Sequence, residues 1–195
     1  MGSTGFSQGT RVVVEQIDDE NWKVREPFAY TGQEGTPFDV YREMETDFAS
    51  VPRVFVWLLP RYGAYTKAAM VHDLLWREYA CEGRMSYRDA DGIFRRALRE
   101  LEVPFLRRWM MWTAVRWGAL VKPGGRQGWL RESWRVVLVS LVALPIVAPP
   151  ALVIVLGLAL FFVFESVCWV PLQVSAWMKR GRARQPVKQV NRPAF

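Results

Sequence analysis

The chain has 195 residues and a net charge of +7, with 51% hydrophobic, 14% aromatic and 23% charged residues. That length holds one ordinary domain plus an appendage, and that composition excludes a disordered or low-complexity protein. Residues 129–195 carry eight basic and two acidic side chains, net +6, whereas the first 128 residues carry only +1. The excess charge therefore accompanies an apolar C-terminal region, and a nucleic-acid partner is not expected. The opening MGSTGFSQGT has neither a basic start nor an apolar run, so no secretory leader is expected there. Its Met-Gly start does not complete a myristoylation pattern, because Phe6 stands where Ser or Thr is required. Two cysteines, Cys81 and Cys168, do not make a disulfide framework, which suits a reducing, cytoplasmic setting.

In chain order, residues 11–16 and 22–30 flank the polar turn Asp18-Asp19-Glu20-Asn21 and read as a hairpin, and residues 36–46 alternate well enough for a third strand. The next stretch, bracketed by Pro52 and Pro60, reads as a loop with a short helical turn. Ala64 to Cys81 has the composition and period of a helix. Ser86 is the expected N-cap of a second helix, with Asp89 in the capping-box position, and Pro104 ends it. A third helix, rich in Trp and Arg, covers residues 105–122. Its Arg108, Trp112 and Arg116 share a helical spacing that permits guanidinium–indole stacking on lipid headgroups. The same aromatics serve equally to close the domain core.

From Val136 to Phe164 the chain runs 29 residues without a charge. A hydrocarbon core about 30 Å thick needs roughly 20 such residues in a helix, so a membrane span is expected. Two arrangements fit. One is a single tilted span kinked at its prolines. The other is a helical hairpin turning at Ala148-Pro149-Pro150, which would align Trp129 and Trp134 with Trp169 and Trp177 as one aromatic belt at the membrane interface. Basic flanks on both sides favour the hairpin and place both on the cytoplasmic face. The limb from 136 to 148 is short for a full crossing, at about 20 Å.

Four residues are candidates for chemistry: Asp47, His72, Asp73 and Asp91. Taken singly, each has an ordinary reading. A lone His on an apolar helix is usually a core residue, Asp73 sits four residues before Arg77 as a helix ion pair, and Asp and Ser in a proline-bounded loop often make turns. Taken together, Thr46-Asp47-Phe48-Ala49-Ser50-Val51-Pro52, then Ala68-Ala69 with His72-Asp73 and Leu75, then Asp91 with Phe94, resemble a family of unknown function common in tailed phages and prophages. That family is domain of unknown function 1353. Its closing helix ends in a small-aromatic-Arg-aromatic-Gly pattern similar to Ala114 to Gly118, and the resemblance covers about residues 10–120. It implies no established activity.

A loop carboxylate over two antiparallel helices would bring Asp47, His72, Asp73 and Asp91 together. Such a set suits a divalent metal, with Asp47, His72 and Asp91 as ligands, and could activate water. It suits equally a buried polar network in which Arg53 or Arg84 neutralises the acids. Ser50 as a nucleophile beside His72 lacks any elbow or oxyanion signature.

The sequence thus predicts an α+β protein. A small antiparallel sheet is followed by three helices, and then by a C-terminal membrane helical hairpin or single kinked span. Residues 1–121 form the soluble domain, 122–128 a Gly/Pro hinge, 129–178 the membrane region and 179–195 a basic cytoplasmic tail. The expected partners are the lipid bilayer, anionic lipids through that tail, and proteins of unspecified kind. The expected function is that of a membrane-anchored phage-type accessory protein acting by assembly; the alternative is a membrane-anchored, metal-dependent hydrolase.

Overall fold

A computed structural model describes residues 5–180 apart from Gln8, Glu20, Ala49, Ser50 and Pro123. The candidate Ser50 and the basic tail beyond Arg180 lie outside the described residues. Six short strands come first: β1 (Gly5–Phe6), β2 (Val14–Gln16), β3 (Trp22–Val24), β4 (Phe28–Thr31), β5 (Pro37–Val40) and β6 (Glu45–Thr46). The hairpin between β2 and β3 turns where the polar residues predict it, with Ile17 N–H on the Asn21 carbonyl at 2.9 Å and Asn21 N–H on Asp18 Oδ1 at 2.7 Å.

The strands form two antiparallel three-stranded sheets, ordered β1-β4-β5 and β2-β3-β6, rather than one. The stretch expected as a single strand over 22–30 divides at Arg25-Glu26-Pro27, where proline cannot donate to a ladder. The stretch 36–46 divides at Tyr41–Met44, where the backbone of Glu43 takes a φ of 70° and turns the chain from β5 into β6. On β4 and β5 the alternation is strict: Phe28, Tyr30, Phe38 and Val40 point into the core.

After a 3-10 turn at Arg53–Phe55, helix α1 (Thr66–Leu74) continues directly into a π-helical turn over Leu75–Ala80. Helix α2 (Tyr87–Glu100) starts at Ser86, whose hydroxyl accepts from Asp89 N–H at 3.1 Å and donates to Asp89 Oδ2 at 2.7 Å. Its buried stripe is Ala90, Asp91, Phe94, Ala97 and Leu98, the spacing of one helical face with a single carboxylate in it. Helix α3 (Phe105–Gly118) follows Pro104 and packs closely on α2. The core gathers Val24, Tyr30 and Val40 from the strands with Val71, Leu74, Leu75, Phe94 and Leu98 from the helices.

Helix α4 (Trp129–Arg180) is continuous. The hairpin turn expected at Ala148-Pro149-Pro150 is therefore not formed; those residues are helical. Each proline removes one intrahelical donor and leaves the neighbouring bonds in place, and an apolar segment offers the freed carbonyls nothing better outside the helix. By length and composition α4 is able to cross a membrane. The chain divides into two compact units, Met1–Pro145 and Ile146–Phe195, so the first turns of α4 belong with the strands and α1–α3. In the second unit large apolar side chains such as Leu152, Val153, Phe161 and Phe164 are exposed. Cys81 and Cys168 are free thiols.

The Ser86 cap gives a direct check on this register. Ser86→Ala is expected to destabilise the full chain in detergent by about 1 kcal/mol, read as a lower urea midpoint with an unchanged slope.

Candidate functional site

Asp91 occupies the apolar stripe of α2 with no exposed surface, and a carboxylate there has to be matched by donors from its neighbours. Three supply them. His72 Nε2 on α1 and Trp76 Nε1 on the π-turn both reach Asp91 Oδ1 at 2.8 Å, and Arg116 Nη1 on α3 reaches Oδ2 at 2.8 Å. Because the carboxylate accepts, the imidazole hydrogen at this contact sits on Nε2. The His72 ring lies between Phe94 and Trp76, with centroids 4.6 and 5.3 Å away.

The network continues into the first turns of α4. Arg116 is fully buried, and its Nε faces Glu132 Oε2 at 3.4 Å as an ion pair. The other oxygen of Glu132 lies 3.3 Å from Arg88 Nε on α2. Trp129 Nε1 donates to the Arg116 carbonyl at 2.9 Å, and Trp117 Nε1 donates to Ser140 Oγ at 3.1 Å. Val136 between them is fully buried. Trp129, Glu132, Val136 and Ser140 thus form one stripe by which α4 seats on the domain. Two carboxylates and two guanidiniums alternate along this chain of contacts, so their charges cancel.

A second polar group lies on the sheet side of α1. Thr46 Oγ1 donates to Asp73 Oδ2 at 2.6 Å and accepts from Phe48 N–H at 3.0 Å. Arg77 reaches Asp47 Oδ1 at 3.2 Å and the Glu45 carbonyl at 3.3 Å. Asp73 opens on a cleft of about 330 Å³ whose walls include Tyr41, Glu43, Glu45, Arg77 and Glu78. Tyr41 donates to Glu78 Oε1 there at 2.7 Å. Burial, reinforced by the charge of Asp47, pushes the Asp73 carboxyl up to about 7, against the opposing pull of the Thr46 hydrogen bond and of Arg77 and His72.

The four predicted residues therefore do not converge. His72 and Asp91 meet in one place, and Asp73, Thr46, Asp47 and Arg77 gather in another. Adjacent residues on a helix point about 100° apart, so His72 faces α2 while its neighbour Asp73 faces the strands. Among the described residues no three His, Cys, Asp or Glu side chains come close enough together to hold a metal ion. The arginines that meet the acids are Arg116 and Arg77, not Arg53 or Arg84. Arg53 is exposed on the 3-10 turn, and Arg84 pairs with Glu82 at 2.8 Å and stacks on Tyr79. Nor do Arg108, Trp112 and Arg116 form a stacked surface row: Trp112 and Arg116 are buried, and the guanidinium over Trp109 and Trp112 is that of Arg95. Of the four tryptophans expected to form an aromatic belt, Trp129 is tied to the domain and Trp134 is exposed with Arg135 stacked on its ring; Trp169 and Trp177 belong to the second unit.

Sequence reasoning gave no site role to Trp76, Arg88 or Glu132, had Thr46 only as a motif residue, and placed Arg116 in a stacking row rather than against Asp91; of these, Arg116 and Glu132 carried a signal. An acid inside an apolar stripe requires a cation from the facing helix, and Glu132 is the sole acid between Val103 and Phe164.

Fold and site together define a small α+β domain whose helices are pinned on a buried carboxylate–guanidinium network. Residues 22–115 match the family model described as protein of unknown function (DUF1353). His72, Asp73 and Asp91 lie inside the matched residues; Arg116 and Glu132 lie beyond them. No curated protein and no solved structure matches the chain.

Two measurements check these assignments. Asp91→Asn removes the nearer of the two carboxylates that face the buried Arg116, and breaking a buried pair costs about 3–5 kcal/mol; with Glu132 still in place, the full chain in detergent should lose about 3 kcal/mol, the lower end of that range, in urea unfolding. For Asp73, the unfolded chain releases the proton near 3.8 and the folded chain only near 7. Stability attributable to this group therefore falls as pH rises between those values and is constant above them. Asp73→Asn should cancel that fall, so that the wild type loses ground to the variant between about pH 5 and pH 7 and then runs parallel to it.

Proposed function

We propose that this protein is a membrane-anchored accessory protein of phage or prophage type that acts by assembly or interaction rather than catalysis. In this reading the His72–Asp91–Arg116–Glu132 chain is architecture that fastens the anchor helix to the domain. The observation that carries it is the state of Asp91: both oxygens are engaged, the side chain is fully buried, and its guanidinium partner reaches on to α4. A carboxylate in that state accepts from three side chains and has no solvent-exposed surface to offer a substrate. The division of Asp73 and Asp47 from His72 and Asp91 weighs against the metal-dependent hydrolase, which needs them around one ion.

The uncharged run from Val136 to Phe164 supports the anchor. At about 1.5 Å per residue its 29 residues reach about 44 Å as a helix, enough to span with tilt. Lys and Arg at both ends support a cytoplasmic domain and tail only for a hairpin; a single continuous span would put the tail on the opposite face.

The test is direct. The full chain should remain with membranes through an alkaline carbonate wash, and its release would end the anchor reading. His72→Ala should lower the melting temperature markedly, and elemental analysis after dialysis should find no stoichiometric metal that depends on His72. About one equivalent of metal in the wild type, lost in a well-folded His72→Ala protein, would hand the reading to the hydrolase.

A further inference from the structure

Where α4 leaves the domain, positive charge accumulates without acids to answer it. Between Val103 and Arg135 the chain has seven basic residues and one acid, Glu132, and that acid is already engaged by Arg88 and Arg116. Arg126, Arg131 and Arg135 are all exposed, and no described carboxylate lies within ion-pair distance of any of them. Arg131 and Arg135 stand four residues apart on α4 and share a face. The Arg95 guanidinium, stacked on Trp109 at 4.5 Å, is held below its usual value by burial and then by the positive charges of Arg135, Arg108 and Arg99, with Glu132 pulling the other way.

Apolar surface is exposed at the same place. Val121 is 86% exposed, Leu130 84% and Trp134 61%, although each stands within the folded unit. Such residues beside guanidiniums are the composition of an interfacial contact, apolar in the acyl boundary and cationic among the headgroups.

The depth is fixed by two observations. Arg135 is the last charge before the uncharged run begins at Val136. Trp117, in the last turn of α3, donates to Ser140, about one turn inside that run. On the anchor reading, with the hydrocarbon beginning at Val136, the end of α3 and the loop after it stand at that boundary and the arginines beside them at headgroup level.

We propose that Arg126, Arg131 and Arg135, flanked by Val121, Leu130 and Trp134, form a collar that binds the phosphate of anionic lipid headgroups on the domain's side of the bilayer. This rests on the anchor reading above and adds a ligand to it. Guanidinium matches phosphate geometry, and each Lys or Arg near an anionic leaflet contributes about 1 kcal/mol, or roughly fivefold in binding. The collar is separate from the basic tail, so the two sources of lipid preference can be told apart.

The test uses the full chain in detergent micelles, titrated with dioleoylphosphatidylglycerol or dioleoylphosphatidylcholine and read by native mass spectrometry. The wild type should retain the anionic lipid preferentially. Arg131→Gln/Arg135→Gln should reduce that preference by about 25-fold and Arg126→Gln by about fivefold, while truncation after Met178 should leave a clear preference. Circular dichroism and melting temperature verify that each variant folds, and Arg126→Gln, in the loop, stands in if the α4 pair does not. Equal retention of both lipids by the wild type would overturn the collar, and so would a preference untouched by the arginine changes but abolished by the truncation. Release of the chain by carbonate would instead overturn the anchor reading, and is measured separately.

Discussion

The burial of one carboxylate governs the helical half of this domain. Asp91 lies in a stripe otherwise made of Ala, Phe and Leu, where an unmatched charge would be prohibitively costly. The carboxylate is tolerable only if α1 presents an imidazole, the π-turn an indole N–H and α3 a guanidinium, all within hydrogen-bond reach. Each requirement fixes a rotation or a register: His72 toward α2, Trp76 beside it, Arg116 in the last turn of α3. Apolar packing alone would accept several neighbouring arrangements of three helices; this set of donors accepts one.

Arg116 extends the constraint to α4. Its guanidinium divides between Asp91 and Glu132, and its carbonyl accepts from Trp129. The start of the apolar helix is thereby joined to the domain through buried polar contacts as well as through Val136 and Ser140. Trp129, Glu132, Val136 and Ser140 are the points at which the first turns of α4 meet the domain within one compact unit.

The sheet side is organised on a different principle. Thr46, Asp47, Asp73 and Arg77 form a group that borders a cleft and retains a titrating carboxyl. Its hydrogen bonds tie the loop after β6 to α1, so the motif residues around Asp47 have a packing role. The motif residues from Thr46 to Phe94 thus divide between two separate clusters, one buried with its charges paired, the other bordering a cleft.

Much of this was readable from residue order alone. The apolar period of α2, the Ser86 cap, Pro104 as a helix stop, the Asp18–Asn21 turn and the uncharged run after Arg135 are local properties of contiguous residues, and the family resemblance overlaps the residues 22–115 that the family model matches. What the sequence left open depends on direction in space. Whether His72 and Asp73 act together is decided by the 100° between neighbours on a helix and by what stands on each side. Whether Arg116 stacks on the surface or closes the core is decided by Asp91, 25 residues away. Whether residues 22–30 and 36–46 are two strands or four is decided by Pro27 and the positive φ of Glu43. Composition and period determined the elements and the place of the charge; only the tertiary structure decided which charges meet, because pairing depends on the faces that packing turns toward one another.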